Sequence, residues 1–207
     1  MPGKLWILFF LLCPGFLRAN DTSLELMCVS TGNGADLIRL RDEVVIATYD
    51  STGLCLESKD AAQGGVVCVY FTSDMPVGPG GWNENGWRPM NVQTKMGLGR
   101  KPLATREQCL DATRNASGGV VCTNTGLGAK AAHIGNNLWC GASSQLKYCL
   151  EASRAARNFT VCSFPSEGTG AEAGWVRTKI GTTCDYQSNL MSLASCNASI
   201  PGESVHF

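Results

Sequence analysis

The sequence predicts an all-β fold built from disulfide-stapled hairpin repeats. Three observations support this class: one cysteine-bounded segment occurs three times, the cysteines that remain after a leader is removed are even in number, and helical signals are sparse.

The repeated segment has fourteen residues and begins and ends with cysteine. The copies are 55–68, 109–122 and 149–162, reading CLESKDAAQGGVVC, CLDATRNASGGVVC and CLEASRAARNFTVC. Each copy starts with Cys-Leu and an acid, continues through mostly small or polar residues, and ends near valine. We interpret each as a strand, a loop and a return strand, so that its two cysteines face each other across a hairpin. We interpret the segment 184–196 as a decayed fourth hairpin.

This interpretation also predicts how the cysteines pair. Five disulfides are expected, because the ten cysteines of a secreted chain become oxidised in pairs. The sequence has no Cys-x-x-Cys pair, and only His133 and His206 offer nitrogen ligands, so we predict no metal and no cofactor. The predicted bridges are Cys55–Cys68, Cys109–Cys122, Cys149–Cys162, Cys184–Cys196 and Cys28–Cys140.

Residues 1–19 have the three parts of a secretory signal peptide. Lys4 is the positive end, 5–12 is an apolar run, and Ala19 is the small residue for cleavage. We therefore expect a secreted, extracellular chain without membrane insertion, consisting of one cysteine-rich repeat domain over 20–207. Its 15 basic and 17 acidic residues do not attract nucleic acid. The predicted N-glycosylation sites are Asn20, Asn115, Asn158 and Asn197.

The segments between the repeats also favour strands. Residues 24–30 and 36–49 are strand-like and flank the turn signal Gly32-Asn33-Gly34. A short helix over 35–45 is the alternative, but the β-branched run 44–46 favours a strand. A further strand is expected to begin at Trp175. The Gly- and Pro-rich segment 76–89, which holds Trp82 and Trp87, is expected to be a surface loop.

The middle repeat resembles the ricin-B-type β-trefoil lectins. Cys-Leu-Asp at 109–111 and the Asn-Asn-Leu-Trp element at 136–139 carry the resemblance, which implies a β-trefoil-like fold with shallow sugar sites. Asp111 then corresponds to the acid that binds the sugar, Asn136 and Asn137 to the amide position, and Trp139 to the motif's aromatic residue. The other copies have Glu57 and Glu151 at the acid position. An irregular β-hairpin repeat domain is the alternative, because a trefoil needs four strands in each subdomain.

The predicted function is non-catalytic binding of an extracellular glycan or glycoprotein. A carboxylate and an amide bond sugar hydroxyls, while an aromatic ring stacks on the apolar face of a pyranose. No nucleophile turn of the Gly-x-Ser-x-Gly type accompanies either histidine, so an enzyme is not predicted. Two alternatives remain: a structural component of an extracellular matrix or coat, and a secreted ligand, toxin or inhibitor that engages a protein through the loop 76–89.

Overall fold

A computed structural model describes residues 25–164 and 174–201. The signal peptide 1–19, Asn20 and His206 lie outside the described residues. The described part has ten strands and four helices. In chain order these are β1 Leu26–Thr31, β2 Gly34–Arg39, β3 Val44–Tyr49, α1 Thr52–Ala61, β4 Val66–Phe71, β5 Gly86–Asn91, α2 Arg106–Arg114, β6 Val120–Asn124, β7 Ala129–His133, α3 Leu146–Ala155, β8 Thr160–Ser163, β9 Val176–Ile180, β10 Cys184–Tyr186 and α4 Leu193–Ser199.

These elements form four consecutive units, each an antiparallel strand pair followed by a helix. The pairs are β1–β2, β4–β5, β6–β7 and β8–β9, and they are followed by α1, α2, α3 and α4. The first unit adds β3 and the last adds β10, so the outer sheets have three strands and the inner sheets two. The prediction of a β-rich repeat fold with small antiparallel sheets is confirmed.

The strand predictions outside the repeats also agree with the structure. β1 and β2 form a hairpin in which Thr31 pairs with Gly34, and β3 runs antiparallel to β2. The alternative helix over 35–45 is absent, because those residues belong to β2, β3 and the turn between them. β9 begins at Val176, next to the predicted Trp175.

The expectation that helices are nearly absent is wrong. Each of the three sequence copies begins inside a helix, since Cys55, Cys109 and Cys149 lie in α1, α2 and α3. The hydroxyl of Thr105 caps α2 by accepting the amide of Gln108 at 3.2 Å, a bond typically worth about 1 kcal/mol. The supposed fourth hairpin, 184–196, is β10 followed by the start of α4.

The five predicted disulfide pairings are therefore also wrong, although all ten cysteines within the described ranges are paired. Within each unit one bridge joins the first strand to the helix that follows the strand pair. The bridges are Cys28–Cys55, Cys68–Cys109, Cys122–Cys149 and Cys162–Cys196, with Cys140–Cys184 joining the last two units. The two cysteines of one sequence copy thus belong to different units, because the copy spans the helix of one unit and the first strand of the next.

The helices lie close to their sheets because small residues face inward. Ala112 and Ala152 are buried beside the helix cysteines, and Ser58 donates a hydrogen bond to the carbonyl of Cys68 at 2.9 Å. Val67, Val121 and Val161 are fully buried on the first strands. The core is thus distributed among the units, and the four separate sheets do not confirm the trefoil part of the prediction. Within the described ranges no helix has the length and apolar character needed to span a bilayer.

Two-residue turns connect each helix to the next unit. They are Gly64-Gly65, Gly118-Gly119 and Asn158-Phe159, and all six residues have positive φ between 45° and 87°. This is the conformation of the tight turns that fit the twist of paired strands. The amide of Phe159 donates to the carbonyl of Gly118 at 2.6 Å, so the last two turns are in direct contact.

Candidate functional site

A groove of about 500 Å³ lies along these turns and is lined by residues of the first three units and of the turn that leads into the fourth. We call it the central groove. Its lining residues are Glu25, Arg39, Arg41, Gly64, Gly65, Asn91, Gln93, Gly119, His133, Ile134, Gly135 and Phe159. The volume is in the range of sites that bind small molecules.

One wall of the central groove is aromatic. The rings of His133 and Phe159 are stacked, with centroids 4.5 Å apart and planes 7° from parallel. The end of β7 places His133 there, and the third inter-unit turn places Phe159 there. Phe159 adopts φ 61°, where a residue other than glycine is strained by about 1–2 kcal/mol.

The protonation state of His133 follows from its surroundings. Its Nδ1 accepts the amide of Gly135 at 2.8 Å, so the neutral ring carries its proton on Nε2. Burial lowers the pKa of His133 from its ordinary value, which favours this neutral form. The imidazole is therefore a hydrogen-bond donor through Nε2 at neutral pH.

Two arginines also line the groove, and their surroundings differ. Arg39 binds both carboxylate oxygens of Asp42 at 2.7 Å and donates to the carbonyl of Val92 at 3.1 Å. This hydrogen bonding holds the pKa of Asp42 below its usual value. Arg41 forms no hydrogen bond or close ion pair with a described residue. Its charge acts on Asp42, whose pKa it helps to lower, and its guanidinium can still donate to a ligand.

Two further side chains add hydrogen-bonding capacity. The carboxylate of Glu25 and the amide of Gln93 line the groove without a side-chain hydrogen bond to another described residue. The amide of Asn91 is already used, because its Nδ2 donates to the carbonyl of Ile134 at 2.9 Å and fixes the second unit to the third. The groove thus offers one carboxylate, one amide and one guanidinium beside an aromatic wall.

The residues that the sequence singled out for sugar binding lie elsewhere. Asp111 is on the exposed side of α2, where its carboxylate pairs with Arg114 at 3.1 Å. Asn136 is exposed and donates to the carbonyl of Gly181 at 2.8 Å. Neither residue lines the central groove.

Asn137 and Trp139 converge on one loop of the second unit. Asn137 is 3% exposed, accepts the amide of Gly99 at 2.7 Å and donates to the carbonyl of Pro79 at 3.1 Å. The indole of Trp139 packs against Gly80, where an added Cβ would lie 2.9 Å from the ring. The Asn-Asn-Leu-Trp element therefore has a structural role, fixing the loop that precedes β5.

The described N-glycosylation sequons differ in the freedom of the asparagine amide. Asn158 is exposed at the tip of the third inter-unit turn. Asn115 is half-buried, and its amide both donates to the carbonyl of Asp111 at 2.7 Å and accepts from Arg154 at 2.6 Å. Asn197 is half-buried within α4.

None of the residues predicted to bind sugar lines the central groove. One signal for it was available, since the third copy has Asn-Phe where the other two have Gly-Gly. The described residues contain no group of three or more metal-ligating side chains suited to a metal ion. In comparisons with known proteins, no family model, no curated protein and no solved structure matches this chain.

Proposed function

We propose that this protein is a non-catalytic extracellular carbohydrate-binding protein and that the central groove is its site. The observation that carries the proposal is that the stacked His133–Phe159 pair lines the same groove as Glu25 and Gln93, whose side chains have no hydrogen bond to another described residue. Five disulfides support an oxidising, extracellular setting, because such bridges form and persist there.

The chemistry of the groove suits a saccharide of one or two rings. A pyranose presents an apolar CH face, which packs on an aromatic ring, and hydroxyls around its edge. The Gln93 amide can donate and accept, Glu25 can accept from two hydroxyls, and Arg41 can donate through several N–H groups. A mixed apolar and polar lining of this kind fixes the orientation of a small ligand.

A glycan array probed with the oxidised protein tests the proposal. Phe159→Gly is the informative variant, because it removes the aromatic side chain from the groove. The turn should be kept, since glycine occupies the same position with positive φ in the other two turns. Gln93→Ala removes one polar group from an exposed position. Asp111→Ala, on the exposed side of α2, tests the site that the lectin resemblance implies.

Saturable binding that is lost in Phe159→Gly and weakened in Gln93→Ala is the expected result. Binding that depends on Asp111 and not on Phe159 would assign the site to the middle repeat instead. A blank array, obtained with protein whose disulfides and cooperative unfolding are intact, would overturn the carbohydrate proposal and favour the structural or protein-binding alternatives.

A further inference from the structure

The loop between β4 and β5 holds an exposed indole in a fixed position. Trp82 is 42% exposed, although both of its main-chain groups are bonded to other parts of the loop region. Its amide donates to the carbonyl of Arg100 at 2.8 Å, and its carbonyl accepts from Arg88 at 2.6 Å. A backbone fixed in this way presents the indole without further ordering of the loop on binding.

Two cations lie over this indole. The guanidinium carbon of Arg100 is 4.4 Å from the ring centroid, and the ammonium of Lys101 is 4.6 Å from it. Attraction to the ring keeps both positive charges beside the partly exposed indole. Lys101 also approaches Glu84 at 3.6 Å, a distance that leaves the ammonium available to another anion. We call Trp82, Arg100 and Lys101 the Trp82 surface.

A third positive charge lies beneath this surface. Arg88 is fully buried and donates to the carbonyls of Trp82 and Gly99, but it forms no ion pair with any described residue. Burial lowers the pKa of Arg88 to about 10, which still leaves it protonated at neutral pH. Three cations therefore face one carboxylate, Glu84, in a chain with equal numbers of basic and acidic residues.

We propose that the Trp82 surface binds an anionic polysaccharide, with its carboxylate or sulfate groups on Arg100 and Lys101 and its sugar backbone along the exposed part of the indole. This site is separate from the central groove and does not depend on the function proposed for it. The surroundings favour a polysaccharide over a protein partner, because the exposed residues that follow Trp82 are the polar Asn83, Glu84 and Asn85. Protein hot spots need a larger apolar ring that excludes water.

Binding to four immobilised polymers tests the proposal. Heparin supplies sulfates and polygalacturonate supplies carboxylates, whereas dextran is neutral and poly-glutamate represents an acidic protein. Trp82→Ala and Arg100→Gln probe the surface, and Arg114→Gln is the control because it removes the same charge from a more exposed position on α2. Arg100→Gln keeps the main-chain bonds of the loop, so it remains informative if Trp82→Ala affects folding.

Saturable binding to heparin or polygalacturonate is expected, with Kd raised about tenfold in each surface variant and unchanged in Arg114→Gln. Binding should weaken between about 0.1 and about 1 M NaCl, as the Debye length falls from about 10 to about 3 Å. Absence of binding to both polysaccharides, equal loss in the control, or equally tight binding to poly-glutamate would each overturn the proposal.

Discussion

Removing cysteines in two different pairs tests the architecture directly. Cys122→Ala with Cys149→Ala deletes one bridge, with a sequence separation of 27, and leaves the other four intact. Cys109→Ala with Cys122→Ala deletes the two cysteines of one sequence copy. In the structure this second change breaks two bridges and leaves Cys68 and Cys149 as free thiols.

The expected losses of stability differ by about a factor of two. In the chain-entropy model a bridge that closes 27 residues stabilises the folded state by about 3.6 kcal/mol, and one that closes 41 residues by about 3.9 kcal/mol. The first variant should therefore lose about 3.6 kcal/mol. The second should lose about 7 to 8 kcal/mol, which is comparable with the whole stability of many domains of about 5–15 kcal/mol.

Thiol titration in denaturant and urea unfolding measure both quantities. We expect no free thiol and one cooperative transition for the first variant, and two free thiols with a much lower midpoint for the second. If the bridges were instead closed within each sequence copy, the results would be reversed. The second variant would then have no free thiol and lose only about 3 kcal/mol, and the strand-to-helix connectivity would be refuted.

Three further outcomes are expected. Gly119→Ala should destabilise the protein by at least about 1 kcal/mol more than Gly65→Ala in urea unfolding, because both have positive φ but only an added Cβ at Gly119 collides with the aromatic ring of the next turn. After secretion from eukaryotic cells, Asn158→Gln should remove a glycosidase-sensitive mass and Asn115→Gln should not, and the reverse would contradict the hydrogen bonding described for the two amides. Burial lowers the pKa of His133, so the unfolded chain binds a proton at this residue before the folded chain does as pH falls below about 6.5. The free energy of unfolding of the wild type should therefore decrease towards pH 5. The decrease should be smaller in His133→Gln.

The first hairpin could be predicted because its signals are local. Gly32-Asn33-Gly34 marks a turn, and apolar residues alternate on both sides of it. Such information needs no knowledge of distant contacts, and β1 and β2 form as expected. The even cysteine count was similarly sufficient to predict that the ten cysteines of the described residues are all bridged.

The sequence also contains signals for the helices, but the strand-favouring valines outweighed them in the prediction. Thr105 precedes Gln108 by three residues, which is a capping pattern, and Asp111 and Arg114 are spaced to pair on a helix surface. The valines that end each copy favour a strand, and they do form one. The error was to extend that strand character backward across the whole copy, when twelve intervening residues hold most of a helix and a turn as well as the beginning of a strand.

Disulfide connectivity could not be derived from the repeat itself. Equal spacing within every copy is compatible with a bridge inside the copy and with a bridge to the neighbouring copy. The choice depends on which strand pair each helix packs against, and that is a property of the tertiary fold. Cys55 bonds backward to Cys28 because α1 packs on the sheet that precedes it.

The third inter-unit turn favours the central groove over the acidic residues on the helix surfaces as a candidate binding site. Glycine adopts positive φ without strain, and Gly65 and Gly119 serve this purpose in the first two turns. Phe159 takes the same conformation at a cost of about 1–2 kcal/mol. A glycine at this position, as in the other two turns, would avoid that cost. Strain of this kind persists where the surrounding structure enforces it and is concentrated at functional sites. Here it places a ring against His133 at the wall of the groove, whereas Asp111 occupies an unstrained helix and pairs with its own neighbour.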